Sequence, residues 1–168
     1  LRALLSRARV RRFSSLGMRH NLLPHNGWVP HDPGATTEAD LLRRLQQGQG
    51  RDLLDRLPAY DESSVLPLTA RLRKEGHDPA LVAAALTQSR LRARVSERLG
   101  PLAADLLLTP DGAEQATRPA VARRHAERFR SAAVEHVWDL GCGVGLDALA
   151  LAGAGLSVTA VDRDPAVA

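Results

Sequence analysis

The apolar positions of this 168-residue chain change period once, and that change divides it. From Thr37 onward they recur at helical spacing. Thr37 and Asp40 form a capping-box start for a helix carrying Leu41, Leu42 and Leu45, which Gly48 and Gly50 are expected to interrupt. A short turn at Leu53–Leu57 ends at Pro58, and Ser64 is placed to cap a helix with Val65, Leu68 and Leu72 on one face, ending at Gly76. Asp78-Pro79 joins a capping acid to a proline at the first helical position. It opens a longer helix through Leu81, Val82, Ala85, Leu86, Ser89, Leu91, Val95 and Leu99 to Gly100-Pro101. Thr109-Pro110-Asp111-Gly112 reads as a turn, and Pro119 starts a helix with Val121, Ala122, Ala126 and Phe129.

After Ala133 the pattern shortens. Val134–Leu140 is an apolar run that ends in alternating glycines, Leu146–Ala154 is an Ala/Leu helix closed by Gly155, and Ser157–Val161 is a second short run ending at Asp162. Strand, glycine loop, helix and strand in that order make the first β-α-β unit of a doubly wound sheet. The fold class expected is therefore α/β. A basic, loop-rich leader (1–35) precedes a helical N-terminal domain (36–131), and the start of a Rossmann-like domain (132–168) follows, truncated before further strands.

Composition sharpens this only in places. Aromatics make up 3% of the chain, so the core is built from Leu, Ala and Val, which favours helices. The net charge of +4 is modest, but Arg2, Arg7, Arg9, Arg11, Arg12 and Arg19 all precede the first acid, Asp32. That leader fits an unstructured terminus, a nucleic-acid arm or an organellar presequence. Arg90, Arg92, Arg94 and Arg98 on the long helix read first as a solvated face. Cys142 is the single cysteine, which excludes an intrachain disulfide framework and fits a reducing, cytoplasmic setting. No apolar run approaches the roughly 20 residues that span a bilayer, so no membrane partner is expected. His20, His25 and His31 lack the spacing of a metal site.

The chemistry concentrates at Asp139-Leu140-Gly141-Cys142-Gly143-Val144-Gly145 with Val161-Asp162. A strand ending in glycines lets a ligand approach backbone N–H groups, and the acid closing the next strand sits where a carboxylate accepts ribose hydroxyls. A dinucleotide fingerprint needs glycine at position 146, where this chain has Leu146, and a nucleotide-cofactor oxidoreductase is disfavoured on that ground. The glycines at 141, 143 and 145 behind an acid, Asp139, suit S-adenosylmethionine (SAM) better, because its ammonium and sulfonium favour a nearby carboxylate. Cys142 has no base placed beside it and is read as a packing residue; Asp147 is read as an acid complementing the helix dipole.

Val137-Trp138-Asp139-Leu140-Gly141-Cys142-Gly143-Val144-Gly145 with Val161-Asp162 resembles motif I and the following acid of class I SAM-dependent methyltransferases. Glu114-Gln115-Ala116-Thr117-Arg118, with Val121-Ala122 and Arg128-Phe129, resembles a bacterial methyltransferase group with a C-terminal THUMP-like domain, over roughly residues 37–168. The Cys-Gly-Val-Gly loop is also similar to that of RNA-cap trimethylguanosine synthases. The resemblance implies SAM as cofactor and RNA modification as the activity. It implies Gly141 and Gly143 at the methionine and ribose, Asp162 on the ribose hydroxyls, Asp139 at the ammonium end and Arg163 beside the adenine. Thr117 and Arg118 reach the methionine carboxylate on this reading; a helix-capping Thr and a solvated Arg are the alternative. The strands that choose a methyl acceptor are expected to lie further on, so the chain reads as the N-terminal part of such an enzyme, inactive by itself. The competing expectation is a non-catalytic remnant, a helical binding module with a vestigial cofactor loop.

Overall fold

The computed structural model describes residues 11–12 and 36–164. Arg11–Arg12 form a two-residue strand, β1; the other leader residues, and with them the three histidines, lie outside the described residues. Thr37 opens α1 (Glu38–Leu45) as the sequence predicts: its hydroxyl accepts the Asp40 amide, and the Asp40 carboxylate accepts the Thr37 amide. The reciprocal pair satisfies donors that have no partner inside the helix.

The first helix ends at Leu45, just ahead of Gly48, whose φ is 49°, so the expected interruption falls there; Gly50 does not break the helix that follows. Residues Gly48–Arg56 form α2, and Gly50 is where α2 meets the end of α1: a Cβ there would lie 2.1 Å from the Arg44 carbonyl oxygen. Glycine is there for close approach rather than as a breaker. Asp61, not Ser64, then supplies the capping side chain, accepting the Ser63 amide at the start of the 3-10 turn Glu62–Ser64 that leads into α3 (Val65–Lys74). The Ser64 hydroxyl donates instead to the Asp61 carbonyl.

Asp78 accepts the Ala80 amide at 2.9 Å and opens α4 (Pro79–Leu99), the longest helix described. Its first half packs with α1, α2 and α3 through Leu81, Val82 and Ala85. Its second half, Leu91, Val95 and Leu99, packs on the segment from Ala103 to Leu108, on α5 (Pro110–Gln115), and on Leu146. Between the halves sits a polar residue that apolar periodicity does not reveal. Gln88 is buried, donating from Nε2 to the Leu108 carbonyl at 2.7 Å and accepting the Leu108 amide at 2.8 Å. The side-chain amide thus pairs with both backbone groups of one residue, as a neighbouring strand would.

The expected turn at Thr109–Gly112 is the start of α5, with the Thr109 hydroxyl accepting the Gly112 amide. In α6 (Pro119–Ser131) only Ala122 and Ala126 are buried, while Val121 and Phe129 face outward. The α/β unit follows: β2 (His136–Leu140), α7 (Leu146–Gly153) and β3 (Ser157–Val161), within a residue or two of the expected bounds. β2 and β3 pair parallel from His136↔Ser157 to Leu140↔Val161, and β1 adds a short parallel edge to β3 at Thr159 and Ala160. Val137 and Val158 pack with Ala148 and Leu151 of α7, and α6 packs on α7 from outside. Alternation along β2 turns Trp138 and Leu140 to the other face, where both are exposed. The chain is thus mostly helical with a small parallel sheet, in the α/β class. No helix among the described residues is long and apolar enough to cross a membrane.

Candidate functional site

The loop from β2 to α7 can turn as it does because its glycines alternate. Gly141, Gly143 and Gly145 all have positive φ (85°, 52° and 79°), a region that side-chain-bearing residues avoid. The loop folds back on the end of β3. The Gly141 and Cys142 amides both donate to the Val161 carbonyl, at 2.7 and 3.0 Å, and the Gly145 amide donates to the Cys142 carbonyl at 2.9 Å. The Gly143 amide donates to Asp162 Oδ2 at 2.9 Å, and the Asp164 amide to Oδ1 at the same distance. Much of the loop's donor capacity is therefore consumed within the protein, which suits it poorly to cradling a pyrophosphate.

Beside the loop lies a cleft of about 490 Å³. The loop and the end of β3 form one wall; α5 and the residues after it, Gly112, Gln115, Ala116 and Thr117, form the other. The lining carries Asp111, Asp139, Asp147, Asp162 and Asp164 against one basic residue, Arg163. Asp139 stands apart from the others. Its Oδ2 is buried with no hydrogen-bond donor among the described residues. Burial holds its carboxyl above the ordinary aspartate value, and the charges of Asp147 and Asp162 push the same way, partly offset by the Ala148 amide. Such a group gains most from a bound cation or hydrogen-bond donor. Asp147, in the first turn of α7 as the dipole argument requires, also meets His125 Nδ1 of α6 at 2.7 Å.

Six of the seven residues singled out from sequence therefore meet on one cleft: Thr117, Asp139, Gly141, Gly143, Asp162 and Arg163. Arg118 does not line it; it lies on a separate groove with Arg94, Arg98 and Glu114. Thr117 is not a helix cap, since Arg118 occupies the capping position of α6. Sequence reasoning missed the contribution of Asp111, Gly112 and Gln115, although Thr-Pro-Asp-Gly is as much a helix start as a turn. Leu146, noted for not being glycine, is 3% exposed and packs with Leu91, Val95, Leu99 and Leu108. Its side chain joins the glycine loop to the helical core.

Residues 38–95 match a family described only as a domain of unknown function (DUF8688), a stretch that ends within α4 and before the cleft. No curated protein and no solved structure matches the chain.

Proposed function

We propose that the cleft is a SAM site and that the chain is the cofactor-binding part of a methyltransferase acting on RNA. The observation that carries the cofactor reading is Asp139, a half-buried carboxylate with one buried, unsatisfied oxygen in a cleft whose lining is strongly acidic. A cleft of that charge favours a ligand bearing an ammonium and a sulfonium over one bearing a pyrophosphate. On this reading Asp139 holds the ammonium group, and Asp162 offers its remaining lone pairs to the ribose hydroxyls. Arg163 flanks the base, Gly141 and Gly143 leave room for the ligand to pass close to the backbone, and Thr117 faces the amino-acid end. The β-α-β unit is then the opening of a Rossmann-like sheet. SAM supplies the electrophilic methyl group; the protein's part is to hold it in line with a nucleophile. RNA as the acceptor rests on the resemblance to the THUMP-bearing methyltransferases alone. The competing reading, a helical module with a vestigial loop, draws on the family match, which covers α1 to α3 and most of α4 and none of the β-α-β unit.

Titration of isotope-labelled protein followed by amide NMR tests the cofactor reading and detects weak complexes. SAM is expected to shift the amides of residues 141–146 and 162–164, with a dissociation constant of roughly millimolar. The shifts should be lost in Asp162→Ala. Equal shifts with NAD, or SAM shifts indifferent to Asp162→Ala, would overturn it.

A further inference from the structure

The segment of the cleft lining that includes α5 comes from outside the β-α-β unit, and it meets the glycine loop closely at Gly112 and Val144. Gly112 lies in α5 against Val144 at the centre of the loop. A Cβ added to Gly112 would fall 2.6 Å from Val144 Cγ1 and 2.9 Å from Thr109 Oγ1. Neither gap accommodates a methyl group without movement. α5 itself is held at three points. Gln88 grips both backbone groups of Leu108, Thr109 caps the helix through the Gly112 amide, and Arg98 of α4 donates to the Ala113 and Glu114 carbonyls near its end. Val144 in turn packs against the cluster containing Leu108, Ala113 and Leu146, so both sides of the contact are anchored in one core.

We infer that α5 is a fixed wall of the ligand site, with Gly112 as the seat that sets the width of the cleft and Gln88 and Thr109 as positioning residues behind it. Gln115 and Thr117 line the cleft together with Asp139 and Asp162, and on this inference the Gly112–Val144 contact sets how near they lie. The helical segment is then part of the binding site rather than an appendage, and ligand selectivity depends on the gap as well as on the loop. The inference rests on the SAM reading for the identity of the ligand but not for the seat itself.

Reciprocal variants of the 168-residue chain test it. Gly112→Ala crowds the contact, Val144→Ala opens it, and the double variant restores much of the fit. Two readouts are needed: hydrogen exchange of the Gly143 and Gly145 amides, which requires no ligand, and SAM titration by amide shifts. Each single variant is expected to speed loop exchange and weaken SAM binding by about tenfold, as sub-ångström misplacement of a site does. The double variant should return both to within about threefold of the starting protein, the non-additivity expected of groups in contact. Unchanged loop exchange in the single variants, or a double variant as impaired as Gly112→Ala, would overturn the inference. If Gly112→Ala fails to fold, Val144→Ala alone decides by the same loop-exchange criterion. Faster loop exchange in the single variants with rescue in the double variant, but no SAM-specific shifts in the starting protein, would remove SAM as the ligand and leave the seat standing.

Discussion

Leu146→Ala asks whether the position that separates this loop from a dinucleotide fingerprint is occupied for packing. Leu146 is the first residue of α7, is 3% exposed, and touches a cluster drawn from α4, α5 and the segment between them. Full burial of such a side chain stabilises the fold by about 1.5–3 kcal/mol. Truncation also leaves a cavity, because the surrounding Leu91, Val95, Leu99 and Leu108 are fixed on separate elements and relax only in part. Together these place the cost at about 2–5 kcal/mol, the range of buried Leu→Ala changes. That is a large share of the roughly 5–15 kcal/mol that holds an ordinary domain together. Helix propensity does not complicate the comparison, since alanine is the better helix former. Urea unfolding followed by circular dichroism measures it, with Leu66→Ala as control. Leu66 is 82% exposed, and its truncation should stay within about 0.5 kcal/mol. A loss below about 1 kcal/mol for Leu146→Ala would refute the claim that the loop is anchored in the helical core.

Asp139→Asn is expected to stabilise the free protein at neutral pH and to weaken its response to SAM. The native carboxyl titrates above its ordinary value, chiefly through burial, so as pH rises the unfolded chain ionises first and the native state loses stability. The penalty is complete above the folded value and absent below the ordinary aspartate range. The advantage of Asn in thermal unfolding should therefore close as pH falls through the carboxylate range; a gap independent of pH would contradict the assignment. Gln88→Leu leaves the buried Leu108 amide and carbonyl unpaired, at about 1–3 kcal/mol each. Urea unfolding should show most of that sum, and a near-neutral result would mean that Gln88 does not hold the segment leading to α5.

The elements legible in the sequence were those with chemical markers at their ends. Thr37, Asp78-Pro79 and Pro119 each begin a helix where capping chemistry predicts one, because those signals act within a single turn. Two of the misreadings share one cause. Gly50 and Gly112 look like breaks in a helical pattern, yet each sits within a helix where another segment passes too close for a Cβ. Close approach depends on a partner distant in sequence or on the angle between two helices, and neither is written in local spacing. Gln88 escaped for the same reason: its partner, Leu108, lies 20 residues away.

For the candidate site the division is similar. The alternating glycines and the acids at 139 and 162 determine by themselves that the two strand ends form a turned loop flanked by carboxylates, because backbone sterics and strand periodicity act locally. Only the tertiary structure decided what faces that loop. It set Thr117 on the cleft and Arg118 off it, drew Leu146 into the helical core, and left Asp139 Oδ2 buried and unsatisfied. The burial of Leu146 depends on the docking of α4 and α5 against the loop, and docking is decided by the packing of surfaces far apart in the chain.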